Sequence, residues 1–471
     1  MISAAEPGPA PAPLPRREAA VLGLAALVLL AVDAGARLPA QTAEARVPVA
    51  ARTMAREGLS PVARLGGLPW STKPPLAVWL QALSMRAFGE TLAAASLPGA
   101  VLAAAAAFAV ARRGGLVAGL ALLLSPRFLL SARGAELDIV FASLTALAIL
   151  RGLDEIDAGG RVGLASQLIL GLALLTKGPL ALVFALLAWG RGWLSAWAPL
   201  ALVPPAAWAA WADRVHPGIG LTWYAQLAGA VGRSHTAHNA PAYAYVVALP
   251  VLAAPAVLPL AIAAVERLRG SRAGPVAPGR AVDRRLFRWL AGGLLILSLL
   301  PLKQSSYALP IYPALALLGV QAAGFARRSR LLRAYLGVLL AAVPVAAILV
   351  LPLAARWQAE RSLVPIGERV RALGDASGGT VAALGSAWEE VSWGAGADIP
   401  CVASAEEARA RGFRWLLVET TESASAPVAP PDRAAPADAT GTAGLPAVLE
   451  ARHPRHRRRL VRVLDLEGPR P

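Results

Sequence analysis

Long apolar runs separated by short charged segments occupy the first 355 residues of the chain. The longer runs are sufficient to cross the hydrocarbon core of a bilayer, and several shorter ones suit tilted or half-buried helices. The pattern therefore predicts a polytopic α-helical membrane protein with about 11 transmembrane helices. The predicted spans are 18–32, 91–111, 115–131, 136–151, 162–176, 179–190, 194–211, 244–265, 289–302, 306–324 and 334–355.

The first long break in this pattern, residues 33–90, contains two short amphipathic segments that predict interfacial helices. At helical spacing, the segment 44–57 collects apolar residues on one face and places its arginines mostly elsewhere. This arrangement suits a helix that lies on the membrane surface. The apolar residues are Val47, Ala50, Ala51 and Met54, and the arginines are Arg46, Arg52 and Arg56.

The second amphipathic segment begins after Pro74 and Pro75. Proline is well placed at the start of a helix, because the first turn does not need the N–H group that proline lacks. The sequence therefore predicts a second interfacial helix. Its predicted membrane face consists of Leu76, Trp79, Leu80 and Leu83.

The composition changes after residue 355, and residues 356–471 carry charges throughout without any predicted span. Short strand-like runs occur at 380–384, 414–419 and 459–465, a helix-like stretch at 404–411, and 421–447 is typical of a loop. We therefore predict a small soluble α/β domain, in which we find no catalytic motif. The predicted organisation is a tail (1–17), a transmembrane domain (18–355, with the first external loop at 33–90) and this C-terminal domain (356–471).

Composition agrees with a membrane protein, since 56% of the residues are hydrophobic, only 16% are charged and the mean hydropathy is +0.54. The net charge of +17 does not indicate nucleic-acid binding, because the arginines cluster in short loops between predicted spans. The positive-inside rule places such loops in the cytoplasm. The arginine-rich segments are 16–17, 112–113, 151–161, 191, 267–288 and 327–333.

This charge pattern predicts a cytoplasmic N-terminus and an external C-terminal domain. Alternation then places 33–90, 126–135, the break near 177, 212–243 and 303–305 outside. The segment Ala34-Gly35-Ala36 also resembles a signal-peptidase site, and a cleaved signal peptide is the alternative. Because many spans follow, we interpret 18–32 as an uncleaved first span.

Lysine occurs only at Lys73, Lys177 and Lys303, against 43 arginines, and all three lie at or near the predicted outer face. A lysine ammonium can bind a lipid phosphate as a point charge. The alternatives are a snorkelling side chain for Lys73, a loop-tip anchor for Lys177 and an interface anchor for Lys303. Lys177 interrupts apolar sequence on both sides, and ionisable residues in such positions are often functional.

Two carboxylates are candidates for chemistry. Glu44 can act as a general base on an acceptor hydroxyl, and its alternative is a solvated charge in a capping interaction. Asp138 begins a predicted span and can position a sugar or an ion, or only cap the helix.

His238 and Asn239 can bind a sugar or a phosphate. The spacing of His216, His235 and His238 matches no recognised metal-ligand pattern, so no cofactor is assigned and a divalent metal is only an alternative. Cys401 is the single cysteine, which excludes an internal disulfide. No Walker-type phosphate loop is present, which argues against an ATP-driven pump.

Several short motifs, taken in their order along the chain, resemble the membrane glycosyltransferases with the GT-C fold. The resemblance covers about 33–325 and is strongest to glycosyltransferase family 39, the bacterial aminoarabinose transferases and protein O-mannosyltransferases. Each motif alone is weak, and the ordered set is more specific. The motifs are EAR at 44–46, KPPL at 73–76, LD at 137–138, LTKGP at 175–179, the histidine segment ending at Tyr245, and KQSSYALPIYPALALL at 303–318.

The resemblance implies transfer of a sugar from a polyprenyl-phosphate donor to a lipid, glycan or protein acceptor, outside the bacterial cytoplasmic membrane and usually with inversion. Glu44 and Asp138 are the implied catalytic carboxylates. The implied substrate-binding residues are Arg46, Lys73, Lys177, His238, Asn239, Lys303 and Tyr307.

The sequence departs from the family pattern at two carboxylates. Ala43 stands where the family carries aspartate, and Thr72 stands where it carries glutamate. Both changes affect the implied base and any metal, so Glu44, Asp33 or Asp138 has to replace the missing carboxylate in an active enzyme. A multi-span transporter or flippase and a catalytically silent membrane scaffold remain the alternatives; transporters often show internal repeats, and none is evident here.

Overall fold

The apolar runs form helices, interrupted where proline or glycine removes backbone hydrogen bonds or permits a turn. The computed structural model describes residues 14–32, 35–40, 42–70, 72–220, 241–268, 283–300, 303–322, 329–385, 388–421, 442, 445–456 and 459–467. The chain divides into two compact units. The helical unit comprises Met1–Ala34, Ser71–Ala77 and Ser96–Pro352, and the mixed unit comprises Gly35–Trp70, Val78–Ala95 and Leu353–Pro471.

The helices up to residue 189 follow the predicted runs within about six residues, whereas the predicted run 194–211 contains a 3₁₀ segment, Ala198–Leu202, and an α-helix that begins only at Val203. The predicted run 115–131 is divided into two helices, because Pro126 cannot continue a helix and instead occupies the first position of the next one. The helices are α1 (Arg16–Ala31), α2 (Thr42–Glu57), α3 (Leu76–Phe88), α4 (Leu92–Gly114), α5 (Leu116–Leu123), α6 (Pro126–Ala132), α7 (Leu137–Asp157), α8 (Leu164–Lys177), α9 (Leu180–Trp189) and α10 (Val203–Val215).

Short 3₁₀ and π turns join or extend several of the helices. The 3₁₀ segments are Gly190–Trp193, Ala198–Leu202 and Ser305–Ile311, and the π turns are Arg288–Gly292 and Ala346–Val350. The later helices are α11 (Ala244–Leu252), α12 (Ala254–Leu268), α13 (Arg284–Phe287), α14 (Gly293–Leu299), α15 (Tyr312–Ala322), α16 (Ser329–Val345), α17 (Leu351–Ala359), α18 (Val364–Ser377), α19 (Glu389–Ala395) and α20 (Ala405–Ala410).

Two helices within the described residues are long and apolar enough to cross a membrane by themselves. They are Leu92–Gly114, with 23 residues, and Arg333–Ala359, with 27 residues. A third span results if Ala244–Leu252 and Ala254–Ile262, which meet at a bend of 101°, are counted together. The predicted number of eleven spans therefore remains a prediction.

Small residues allow close packing inside the helical unit. A Cβ atom at Gly119 of α5 would lie 2.7 Å from the Cβ of Ala111 and 3.0 Å from the carbonyl oxygen of Ala107, so only glycine fits against α4 there. Such contacts are typical of membrane helices, where packing replaces the hydrophobic effect as the driving force. The surrounding core includes Leu22, Leu29, Leu120, Leu123 and Leu339.

The mixed unit contains a five-stranded sheet, three strands of which correspond to the predicted strand-like runs. The strand order is β4 (Cys401–Val402), β3 (Val381–Leu384), β5 (Trp415–Thr421), β7 (Arg459–Asp465) and β6 (Ala447–Arg452). The pairs β3–β4 and β3–β5 are parallel, and β5–β7 and β6–β7 are antiparallel. Sequence reasoning had predicted β3, β5, β7 and α20, but not α18, α19, β4 or β6.

Both faces of this sheet are covered. Alternate residues of β5 point to opposite faces, as the strand period requires. Trp415 and Leu417 pack with Ile366 and Val370 of α18, whereas Leu416 and Val418 pack with Ala405 and Ala408 of α20. The predicted small α/β domain is therefore present as a sheet with helices on both faces.

The first loop belongs to the same compact unit as this sheet. Its strands β1 (Ala63–Leu65) and β2 (Leu68–Trp70) form a hairpin, and Gly66 and Gly67 adopt φ of 60° and 75° at its tip. A two-residue turn in which both φ values are positive strongly favours glycine, asparagine or aspartate. The tip N–H groups of Gly66 and Gly67 donate to Asp398 at 2.8 and 3.0 Å, which ties the hairpin to the C-terminal segment.

The structure corrects the prediction that the apolar face of α2 lies against lipid. Its apolar residues are all covered by protein, with Val47, Ala50, Ala51 and Met54 between 0% and 4% exposed. The prediction that this face contacts the membrane is therefore wrong, because amphipathicity indicates burial on one face but not what covers it. On the predicted membrane face of α3, Leu76 is instead buried in protein, whereas Leu83 is exposed, as a lipid-facing residue would be.

Candidate active site

The helical unit brings together three of the residues singled out in the sequence. Lys177 is the last residue of α8, and its ammonium group contacts the carboxylate of Asp138 in the first turn of α7. The Lys177 nitrogen also lies 3.8 Å from the centre of the Tyr307 ring. Ser306, next to Tyr307, forms a side-chain hydrogen bond with Asp138. This group of four residues is called the Asp138 cluster below.

The location of Asp138 shows whether this residue caps helix α7, which was one of the two interpretations drawn from the sequence. Glu136, and not Asp138, occupies the N-cap position of α7, and the carboxylate of Asp138 is used by Lys177 and Ser306. The helix-cap interpretation of Asp138 is therefore wrong. An aromatic ring under an ammonium group and a carboxylate beside it hold the cation in one place.

A second buried ion pair lies before α7 and was not predicted. Arg127 of α6 donates to Glu136 at 2.8 Å, and the hydroxyl of Ser131 donates to the same carboxylate oxygen at 3.0 Å. Together they hold the segment that leads into α7. The signal in the sequence was a group of charged residues, Arg127, Arg133 and Glu136, between apolar runs.

The remaining predicted residues of the helical unit are less closely associated. The Lys303 ammonium donates to the carbonyl oxygen of Leu300 at 2.7 Å, a local contact at the end of α14. Lys73 is partly exposed and lies in the turn that precedes α3. His238 and Asn239, like Asp33, lie outside the described residues.

The mixed unit contains the other predicted carboxylate. Glu44 lies in the first turn of α2 and accepts hydrogen bonds from Arg37 at 2.7 Å and from the backbone N–H of Ala40 at 2.9 Å. Its side chain is 15% exposed. Both oxygens therefore accept hydrogen bonds, and the contact with Ala40 agrees with the capping interaction considered as the alternative.

Arg46, two residues further along α2, is hydrogen-bonded within the described part of the chain through one edge of its guanidinium group only. Its Nε donates to Glu389 of α19 at 2.9 Å, and the side chain is 39% exposed whereas that of Glu389 is 3% exposed. Among the described residues, no group forms a hydrogen bond with the two terminal nitrogens of Arg46. Sequence reasoning missed Glu389, although the adjacent carboxylates Glu389 and Glu390 between tryptophans were a local signal.

Glu390 is the centre of a neighbouring contact. It accepts from the backbone N–H of Leu363 at 3.0 Å and pairs with Arg455 at 2.9 Å. Burial raises the pKa of both Glu389 and Glu390, and their arginine partners oppose that effect. The described residues contain no group of three or more His, Cys, Asp or Glu side chains that could hold a metal ion.

Comparison with known proteins agrees with the motif order. Residues 72–208 match the model of a family described as dolichyl-phosphate-mannose-protein mannosyltransferase. This segment contains Lys73, Asp138 and Lys177, but it covers less than a third of the 471 residues. No curated protein sequence matches the chain.

Two crystal structures of ArnT from Cupriavidus metallidurans are similar to the chain over almost its whole length. The structure bound to undecaprenyl phosphate aligns with a TM-score of 0.67 and 17% identity, over 96% of this chain and 99% of that chain. The apo structure aligns with a TM-score of 0.67 and 16% identity over the same shares. These findings confirm the resemblance drawn from the motifs, and the chain has the ArnT-like GT-C fold of a polytopic helical membrane protein with a C-terminal sheet domain.

Proposed function

We propose that the chain is a membrane glycosyltransferase that transfers a sugar from a polyprenyl-phosphate donor to an acceptor at the outer face of the bacterial cytoplasmic membrane. The observation that carries this proposal is the alignment with ArnT over 99% of that chain, together with a family match that includes Lys73, Asp138 and Lys177. ArnT has been crystallised with undecaprenyl phosphate, which supports a polyprenyl-phosphate donor here.

In the proposed reaction, an acceptor hydroxyl loses its proton to a carboxylate while its oxygen forms a bond to the anomeric carbon. The bond from that carbon to the phosphate oxygen breaks, and polyprenyl phosphate leaves with the bonding electrons. Negative charge therefore increases on the phosphate in the transition state. Fixed cations that meet this charge accelerate the reaction, because they stabilise the transition state more than the bound donor.

The cations that we propose for this role are those of the motif set. Arg46 has two terminal nitrogens without a described partner, and Lys177 is fixed over Tyr307 at 3.8 Å. Lys73 and Lys303 remain proposed phosphate ligands, and His238 and Asn239 remain proposed substrate ligands. The contact of Lys303 with Leu300 offers a purely local role as its alternative.

Two carboxylates compete for the role of general base. Glu44 accepts hydrogen bonds from Arg37 and from the N–H of Ala40, whereas Asp138 contacts Lys177 and Ser306. We propose Glu44, because it lies in the motif in which Ala43 replaces the usual aspartate. Asp138 is the second candidate. Since the described residues offer no metal-ligand group, no step is assigned to a metal.

The test is transfer by the purified full-length protein in lipid nanodiscs. Donors are radiolabelled undecaprenyl-phosphate sugars, one pentosyl and one hexosyl, offered with lipid, glycan and protein acceptors. Acceptor-dependent movement of the label from the undecaprenyl-phosphate donor to the acceptor, with the two separated by chromatography, supports the proposal. Lys73→Ala should reduce turnover while the protein stays folded and inserted. Movement of intact donor across sealed vesicles without transfer would instead indicate a flippase.

We also propose the eleven-span topology, with residues 1–17 in the cytoplasm and residues 356–471 outside, as the arginine pattern predicts. Reporter fusions placed after residue 356 should give an external signal. A cytoplasmic signal at that point would contradict both the span count and the external location of the C-terminal domain.

A further inference from the structure

Only one edge of the Arg46 guanidinium group forms a hydrogen bond with the protein among the described residues. Its Nε edge is bonded to Glu389 at 2.9 Å, while its terminal nitrogens have no hydrogen-bond partner among the described residues and the side chain is 39% exposed. A guanidinium presents its donors in a planar fork that matches two oxygens of a phosphate. A fork that is fixed at one edge and exposed at the other is therefore arranged to receive an anion.

Burying the carboxylate of Glu389 is unfavourable for the free energy of folding, which suggests a role beyond stability. Its side chain is 3% exposed, and its second oxygen, Oε2, has no hydrogen-bond partner among the described residues. Burial of a carboxylate costs several kcal/mol in general, and one hydrogen bond to a half-exposed arginine offsets only part of that cost. A contribution to stability therefore does not explain why Glu389 is buried beside Arg46. A role in fixing the orientation of the Arg46 side chain does explain it.

Two further arginines of α2 hold the same helix, α19, in register. Arg52, which is 5% exposed, donates to the carbonyl oxygens of Ser392 at 2.6 Å and of Trp393 at 3.0 Å. Arg56 donates to the carbonyl oxygen of Gly396 at 2.8 Å. Arg52 and Arg56 therefore attach α2 to the C-terminal end of α19, and the bond of Arg46 to Glu389 attaches it to the N-terminal end.

We propose that Glu389 is a positioning residue that orients Arg46 toward the phosphate of the lipid donor, so that the C-terminal segment contributes to donor binding through Arg46. The inference rests on the proposed function and deepens it. It assigns a role to the C-terminal segment, in which the sequence had shown no catalytic motif. Glu389 itself does not touch the donor and acts only through Arg46.

Equilibrium binding of undecaprenyl phosphate to the full-length protein in detergent tests this proposal, with undecaprenol as the probe that lacks the phosphate. Glu389→Ala should weaken binding of undecaprenyl phosphate about tenfold and leave binding of undecaprenol unchanged. Glu389→Gln, which keeps the shape and an acceptor oxygen, should weaken it about threefold and so restore part of the loss. Glu450→Ala removes an exposed carboxylate that pairs with Arg462 at 2.7 Å in the same unit, and it should bind both probes like the wild type.

A double-mutant cycle separates positioning from a general structural effect. If Glu389 acts through Arg46, then Glu389→Ala should cause no further loss of affinity in an Arg46→Ala background. In the transfer assay, the KM for the donor should rise while kcat changes less. An unchanged affinity in Glu389→Ala, or an equal loss in both backgrounds, would overturn the proposal.

The remaining outcomes are also decisive. If Glu389→Ala does not fold, wild-type affinity in Glu389→Gln overturns the proposal and a reduced affinity supports it. A wild-type protein that binds undecaprenyl phosphate but transfers no sugar contradicts the proposed function and leaves the binding cycle to test Glu389. A wild-type protein that does not bind the phosphate probe contradicts both.

Discussion

Each of the two units contains an ion pair that involves a predicted site residue, and the two pairs differ in how far they are closed. In the helical unit, Asp138 and Lys177 are 17% and 11% exposed, so both charges are shielded. In the mixed unit, Glu389 is 3% exposed and Arg46 is 39% exposed. The first pair is closed and the second is half open. A closed pair should contribute more to stability, because either charge is stranded without the other, whereas a half-open pair leaves more of its donor groups exposed.

The largest expected effect comes from breaking the closed pair. Asp138→Ala leaves the Lys177 ammonium shielded without its partner, and we expect a loss of about 3–5 kcal/mol in the free energy of unfolding. Denaturant unfolding of the protein in detergent measures this loss. The matched change in the half-open pair, Glu389→Ala, should cost about 1 kcal/mol, since Arg46 can be hydrated. Equal losses in the two variants would contradict the distinction between closed and half-open pairs.

The double variant is the control for this prediction. Removing both charges in Asp138→Ala/Lys177→Ala should cost less than the sum of the two single changes, because no unpaired charge remains. A double variant whose loss equals that sum would show that the two side chains contribute independently.

The second prediction asks which carboxylate accepts the proton. Glu44→Gln keeps the shape of the side chain but cannot take a proton, and it should lower the transfer rate by about a hundredfold to ten-thousandfold. Asp138→Asn is the comparison, measured in the same assay on protein shown to be folded. Normal transfer by Glu44→Gln together with no transfer by Asp138→Asn would assign the base to Asp138. If neither change matters and Ala43→Asp creates activity that is absent from the wild type, the native chain is a catalytically silent relative.

The third prediction concerns the open side of the Arg46–Glu389 pair. Arg46→Lys keeps a positive charge near Glu389 but loses the planar fork, so the KM for the donor should rise about tenfold with little change in unfolding free energy. Arg462→Lys, at the exposed pair with Glu450, is the control and should leave KM unchanged. An unchanged KM in Arg46→Lys would mean that the exposed nitrogens do not bind the phosphate.

The last prediction is a dependence of stability on pH in the mixed unit. His453 is buried, and burial, with the positive charges of His456, Arg455 and Arg459 nearby, lowers its pKa from an ordinary value near 6.5 to about 4. Its Nδ1 accepts a hydrogen bond from the N–H of Arg455 at 3.2 Å, which a protonated ring cannot do.

The sign follows from proton binding. Between about pH 4 and 6.5 the unfolded chain binds more protons at this site than the folded chain, so the stabilisation is complete above about pH 6.5 and is lost as the pH falls toward 4. The loss should be at most about 3 kcal/mol. Thermal unfolding of the wild type and of His453→Gln across this range isolates the effect, with His456→Gln as the exposed control. Identical pH profiles for the wild type and His453→Gln would rule out this role for His453.

Local sequence patterns predicted many individual elements correctly. The segment 44–57 corresponds to α2 (Thr42–Glu57), and the run at 459–465 corresponds to β7 (Arg459–Asp465). Helical and strand periodicity depend on neighbouring residues, so such elements can be read without a tertiary structure. Weak or very short strands such as β4, with two residues, carry too little pattern to be predicted.

The candidate site was predictable in part. The sequence identified Glu44, Asp138, Lys177 and Tyr307 as polar residues at the ends of apolar runs, and three of them meet in the Asp138 cluster. It did not identify Glu389, which is separated from Arg46 by 343 positions. It also assigned the apolar face of α2 to lipid, whereas protein covers that face.

By itself, the sequence determined the membrane class, most of the helices, the α/β character of the C-terminal segment and the set of ionisable residues in apolar surroundings. These properties follow from composition and from short-range periodicity. The tertiary structure decided which charges meet: Lys177 with Asp138, and Arg46 with Glu389. It also decided that the first loop belongs to the same compact unit as the C-terminal sheet. Such pairings depend on contacts between segments far apart in the chain, and no local pattern of residues specifies which distant partner will be buried beside them.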